Sequence, residues 1–320
     1  QTIHGSRQAE LGLAAAELNL EKTRQEVMAQ AAIAYQAVLL SMENLTVIEE
    51  SLGSAEAHLK LIQDRFDSGF TVKSDLLRAQ VRIADLEQER YSARSQVDIA
   101  RAMLNDAMGE PLDSAFELTS ASAAMEARHD SLAQWTATAL DRRPDYLILS
   151  QQTAIAEEEI QKATSAHLPS FNLFGNYELN SEDFEDSGTN YTVGAMMRIN
   201  LYSGGRDSAR TRETRAALKE IRAMQRSMAS AIQVETHRAF SQAESAWKRI
   251  EVARAAVSQA EEGLRIVANR YQNGLLTIVS LLDAEVALQK TRQNCSRAFH
   301  DYNVALTRLN LAAGTITEDF

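Results

Sequence analysis

The sequence predicts a mainly α fold: long antiparallel coiled-coil helical hairpins in two repeats, with one β-hairpin set between them. Three observations predict it: a gapless internal repeat, a sustained 3.5-residue apolar period, and a single segment of period two. The repeat comes first. Arg65-Phe66-Asp67-Ser68-Gly69 returns as Arg270-Tyr271-Gln272-Asn273-Gly274, an offset of 205 (270 − 65). The register then holds through Leu76-Leu77 and Leu281-Leu282, and Leu104-Asn105 and Leu309-Asn310, to Gly109 and Gly314. Thirteen of these 45 aligned positions are identical, which marks one structural unit used twice.

Each unit reads as a helix–turn–helix. Leu45, Ile48, Leu52, Ala55, Leu59, Ile62 and Phe66 fall at alternating steps of three and four, and so do Ile250, Ala253, Val257, Ala260, Leu264, Val267 and Tyr271. After the turn the seam resumes at Leu76, Ala79, Ile83 and Leu86, and in the second copy at Leu281, Ala284, Leu288, Thr291 and Cys295. That period keeps one apolar stripe against a partner helix. No proline occurs from Arg7 to Arg65 or from Arg206 to Arg270, so each helix is long enough to span about 90 Å. Gly69 and Gly274 close the turns. The chain therefore divides into a first hairpin (1–111), a loop with one short helix (112–144), a further helix (145–169), a β-hairpin (170–203), a second hairpin (204–314) and a tail (315–320).

Composition narrows the function. A net charge of −11 offers no basic face for phosphates, so no nucleic-acid partner is expected. One cysteine excludes an internal disulfide framework, and Cys295 reads as a small seam residue. His4, His58, His129, His167, His237 and His300 lack paired ligand spacing, so no metal or other cofactor is expected. No nucleophile elbow or phosphate loop is present, and an enzyme is not expected. No unbroken run of about 18 apolar residues occurs, so no transmembrane helix is expected either. Glu157-Glu158-Glu159 reads as a solvated helix face.

The period-two segment is 171–202. Phe171, Leu173, Tyr177 and Leu179 alternate with polar neighbours, and Tyr191, Val193, Ala195, Met197, Ile199 and Leu201 do the same after a polar link from Asn180 to Asn190. Lengths of about nine and twelve residues suit a bilayer-crossing strand. Two strands alone leave unpaired edges, so a lipid setting requires oligomerisation. A hairpin packed on a soluble helical body stays open as the other reading.

Arg142-Arg143-Pro144-Asp145, then His167-Leu168-Pro169-Ser170, then the strands and Leu201-Tyr202-Ser203-Gly204-Gly205-Arg206, resemble the TolC-like outer-membrane efflux proteins. Both tip motifs do too, Arg65 with Gly69 and Arg270 with Gly274, each followed by a Leu-Leu pair. The resemblance implies a homotrimer whose hairpins form an α-barrel across the periplasm, topped by a shared β-barrel in outer-membrane lipid. It implies a passive exit duct of a tripartite efflux or type I secretion system in a Gram-negative bacterium, docked on a periplasmic adaptor and an inner-membrane pump. It places adaptor contacts at Arg65, Gly69, Leu76, Leu77, Arg270, Gly274, Leu281 and Leu282. The implied gate holds Asp75, placed so that it could hydrogen-bond Tyr271, with pore-facing Asp283 and, one turn earlier, Ser280, where some relatives carry a second Asp; a helix N-cap at Asp75, core packing at Tyr271 and a solvated face at Asp283 stay open as the other readings. Ile3-His4-Gly5-Ser6-Arg7 echoes Tyr202-Ser203-Gly204-Gly205-Arg206, so the chain is expected to lack the family's first strand pair. A soluble coiled-coil scaffold and a periplasmic adaptor are the alternative functions.

Overall fold

The computed structural model describes residues 2–118, 130–165, 167–183 and 186–316. His129 and the end of the tail, 317–320, lie outside them. The elements run α1 (Thr2–Asp67), α2 (Lys73–Met108), α3 (Leu132–Arg142), α4 (Pro144–Ser165), β1 (Ser170–Asp183), β2 (Asp186–Arg198), α5 (Arg206–Gln272) and α6 (Ile278–Ala313). Two compact units result. One holds residues 1–21 and 144–231; the other holds 22–143 and 232–320.

The ends of the repeated helices are built alike. At Gly69 the amide bonds Phe66 O (3.0 Å) while Phe70 N bonds Arg65 O (2.8 Å), and at Gly274 the partners are Tyr271 O (2.9 Å) and Arg270 O (2.9 Å). Gly109 and Gly314 close α2 and α6 through the same two bonds. This is the left-handed helix stop in which the last free carbonyls are satisfied by the departing chain. Repeated glycines in the sequence thus mark repeated stops.

In the larger unit the core is zoned along the helices. Trp135 of α3 is buried with Ala239, Ala243, Ala246 and Ile250 of α5 and with Tyr302, Ala305, Leu306 and Leu309 of α6. Alanines on α5 let α6 approach closely, and Trp247 and Tyr302 meet at a 5.0 Å ring separation. Val38, Ala100 and Leu104 join α1 to α2 under Phe116 and Leu118, while Leu52, Ala55 and Leu86 continue that seam toward the turn. The expected second seam is only half-buried at Ala284, Leu288, Thr291 and Cys295, whereas Glu285 and Gln289 are buried. The reason is that α6 faces hairpin 1 as well as α5, so a second stripe of it is covered. Burial also pushes the Cys295 thiol up, away from reactivity.

In the smaller unit the acidic triplet is not a free face. Glu157 pairs with Arg222 of α5 (2.7 Å), Glu158 with Arg7 of α1 (3.3 Å), and Glu159 with Gln8 of α1 (2.9 Å) and Arg210 of α5 (3.3 Å). Successive residues turn by about 100° around a helix, so three neighbours reach different partners. The Gln8 hydrogen bond, then those of Arg210 and Lys162, hold the Glu159 carboxyl below the usual carboxylate range against partial burial. A depressed folded value means its stabilisation is present above the ordinary carboxylate pKa and is lost as pH falls through the folded one. Glu159→Gln is therefore expected to flatten the acid side of the melting-temperature profile, measured by circular dichroism; an unchanged profile would remove Glu159 from acid sensitivity.

Mean hydropathy and an unbroken apolar run give different readings of α1. An 18-residue stretch of α1 is long and apolar enough, by composition, to cross a membrane, and 17% of it is buried within the chain. A mean over 18 residues tolerates scattered glutamine and serine that break an unbroken apolar run.

Candidate functional site

Two surfaces carry the residues of interest, one at the helical turns and one on the β-hairpin. The turns are built on a buried cluster of Ile62, Leu76, Ala79, Tyr271, Ile278 and Leu281, flanked by Leu59, Phe66, Leu264 and Val267. Both repeats contribute, so the turns of the two hairpins form one body. Leu76 and Leu281 are interior to it, which corrects their expected place on a contact surface: their seam positions point inward. Leu77 is exposed and Leu282 half-buried. Phe70, Val72, Leu275 and Val279 present further exposed apolar surface beside them.

Arg65 ties the two turns. Its guanidinium donates to Tyr271 O (3.0 Å) and Gln272 O (3.0 Å), the last carbonyls of α5, and lies 5.4 Å from the centre of the Tyr271 ring. A cation there complements the negative end of the helix dipole. The Arg270 side chain is exposed, and among the described residues it makes no such contact.

The expected Asp75–Tyr271 hydrogen bond is not made. Asp75 accepts from Thr71 Oγ1 (2.8 Å), and among the described residues the buried Tyr271 hydroxyl has no hydrogen-bond partner. Burial pushes the phenol up, while the nearby Arg65 charge pulls it down and Asp75 raises it further. Asp75 and Tyr271 are thus electrostatic neighbours without a bond, because Thr71 lies one turn from Asp75 and competes for it. Asp75 sits in the first turn of α2, whose N-cap is Val72. Ser280 is half-buried with its hydroxyl 3.4 Å from that of Thr277, and Asp283 is exposed on α6.

Above the turns lies a polar belt that sequence reasoning missed. His58 of α1 contacts Glu285 of α6, Arg82 of α2 contacts Gln289 of α6, and Gln289 Nε2 donates to Glu89 (2.6 Å). Arg292 adds bonds to Glu50 (2.8 Å) and Glu261 (2.9 Å). Among the described residues, Glu285 keeps one buried oxygen unpartnered. On a sequence these residues resemble a solvated face, since nothing in their spacing says that a third helix covers them.

The hairpin carries the second surface. β1 and β2 pair antiparallel, with Phe171 opposite Met197, Leu173 opposite Ala195, Gly175 opposite Val193 and Tyr177 opposite Tyr191. Directly opposed residues share a face, so the expected apolar side chains form one continuous stripe. It is bare: Leu173 is 87% and Val193 78% exposed. The reverse face holds Asn172, Asn176, Thr192 and Arg198, with the Phe174 ring lying over Gly194, where a Cβ would come within 2.5 Å of it. Three boundaries are corrected. Pairing continues through the expected link to Asp183 and Asp186, because ladder bonds need no side-chain alternation. Ile199 and Leu201 lie beyond the end of β2 at Arg198. The Leu179 side chain lies outside the described residues.

Comparison with known proteins decides the family. The outer membrane efflux protein family model matches residues 3–110 and 135–315. The chain belongs to the outer membrane efflux protein family. Outer membrane protein TolC of Vibrio cholerae is 26% identical over 92% of this chain and 69% of its own length. Alkaline protease secretion protein AprF of Pseudomonas aeruginosa is 25% identical over 96% of this chain and 66% of its own length. The open-state crystal structure of the Neisseria gonorrhoeae MtrE outer membrane channel superposes with a TM-score of 0.81 at 18% identity, covering 98% of this chain and 73% of that one. The efflux-protein fold of hairpins in two repeats, carrying a β-hairpin, is therefore the fold of this chain.

Proposed function

We infer that the chain is the outer-membrane channel component of a tripartite efflux or type I secretion system. It serves as a passive exit duct across the periplasm and outer membrane of a Gram-negative bacterium. The observation that carries this reading is the bare apolar stripe of Phe171, Leu173, Tyr177, Tyr191, Val193, Ala195 and Met197 on a hairpin whose edges are unpaired among the described residues, in a chain of this family. Such a stripe is costly in water and suited to lipid, and its edges call for strands from other copies. A soluble scaffold would leave it without a use, and a periplasmic adaptor would carry one helical hairpin where this chain carries two.

Three protomers would place residues 1–111 and 204–314 around an α-barrel, 112–144 as its belt, 145–169 as the ascending helix and 170–203 in the shared β-barrel. The periplasmic end of the duct would be the turns, with a periplasmic adaptor meeting the exposed Leu77, Arg270 and the surface beside Gly69 and Gly274, and an inner-membrane pump beyond it. Gating would involve Tyr271, whose buried hydroxyl lies in the field of both Arg65 and Asp75, while three copies of Asp283 would focus a cation-favouring field beside Ser280. The Asp75→Ala, Tyr271→Phe double variant is expected to raise single-channel conductance in planar bilayers. Unchanged conductance would take both residues out of the gate.

A further inference from the structure

We propose that Arg270 caps the end of α1 in a second copy of this chain, completing between protomers the contact that Arg65 makes within one. The proposal rests on the assembly reading above and gives it a specific interface. Arg65 and Arg270 are the same residue at equivalent places in the two repeats, 205 positions apart. Within the chain, Arg65 at the end of α1 reaches the end of α5, donating to Tyr271 O and Gln272 O over the Tyr271 ring.

Moving that contact on by one repeat fixes its partners. Tyr271 and Gln272 correspond to Phe66 and Asp67 by the same offset (271 − 205, 272 − 205). The target of Arg270 is therefore Phe66 O and Asp67 O, with the Phe66 ring under its guanidinium. An aromatic ring is present at both places, so the cation–π element is retained. Asp67 stands where the first contact has an uncharged Gln272, so the second copy of the contact gains a carboxylate beside the cation.

Phe66 O already accepts from Gly69 N (3.0 Å), as Tyr271 O does from Gly274 N (2.9 Å) while also accepting from Arg65, and the Asp67 carboxylate accepts from Gln63 Nε2 (3.0 Å). Arg270 and Asp67 are exposed, Phe66 is half-buried, and Arg270 has no partner among the described residues. The apolar ground of the contact is repeated as well: Leu59, Ile62, Leu76 and Ala79 have Leu264, Val267, Leu281 and Ala284 as counterparts. The polar belt is not repeated, because the counterparts of His58 and Arg82 are Gly263 and Ala287. Arg270 thus supplies the polar anchor that the interface between copies otherwise lacks at this level.

The test uses the full-length protein in mild detergent, with Cys295→Ser as the background. Asp67→Cys together with Arg270→Cys is treated with a short bismaleimide and run on a denaturing gel. Adducts joining two and three chains are expected, and each single-cysteine variant should give none. In parallel, Arg270→Ala is expected to speed dissociation of the assembled protein at least about tenfold, with Arg270→Lys intermediate because it keeps the charge but not the fork. An assembled parent that yields no interchain adduct, or an unchanged dissociation rate in Arg270→Ala, would overturn the proposal. A parent that is monomeric from the start would instead overturn the assembly reading beneath it.

Discussion

Replacing Gly314 by alanine destabilises the protein by about 2–3 kcal/mol, whereas the same change at Gly109 costs about 1 kcal/mol. The two glycines are equivalent in the repeat, and both hold positive φ, +66° and +74°. A left-handed backbone alone accounts for the smaller figure. At Gly314 a methyl group would also lie 3.0 Å from Arg142 C, Arg142 O and Arg143 N, all backbone atoms at the corner between α3 and α4. At Gly109 it would meet nothing within 4 Å. Backbone cannot swing away as a side-chain tip can, so the corner itself must shift. That corner is also held by Arg143, which donates to Ala312 O (3.3 Å) and pairs with Glu235. Thermal unfolding of the two variants side by side checks the contrast; equal melting temperatures would mean that the corner gives way freely.

Arginine on the apolar stripe of the hairpin prevents membrane assembly, and arginine on the reverse face does not. Leu173→Arg or Val193→Arg places a charge on a face of aromatic, aliphatic and methionine side chains, at an expected cost of about 2–4 kcal/mol each if it lies at mid-bilayer. Asn176→Arg and Thr192→Arg are opposite each other on the other face, where Asn172 and Arg198 stand with Phe174 and Met196. The readout is the fraction of protein recovered with outer membranes. Equal recovery of all four variants would mean that protein, and not lipid, covers the stripe.

Much of this was legible in the sequence, for identifiable reasons. The offset of 205 aligns the glycines, and each glycine is one half of a helix stop, so repeat and turn are read from the same letters. The hairpin register was implicit in its alternation: once Phe171, Leu173 and Tyr177 share a phase with Tyr191, Val193 and Met197, only an in-phase pairing puts them on one face. What the sequence hid is which helix covers which. A 3.5-residue period says where the principal stripe of α6 lies. It does not say that hairpin 1 covers a second stripe, so Glu285 and Gln289 looked like surface. Glu157, Glu158 and Glu159 looked solvated for the same reason, although each finds a partner on α1 or α5. The candidate gate suffered from a different ambiguity. Asp75 has two acceptable donors nearby, and the local one, Thr71, takes the bond.

The measurement that tests the central claim most directly is the mass of the full-length protein in mild detergent, taken together with its distribution between soluble, inner-membrane and outer-membrane fractions. A trimer recovered with the outer membrane is the predicted result. A soluble monomer or dimer would contradict it, and would mean that the stripe of Leu173 and Val193 is buried against protein.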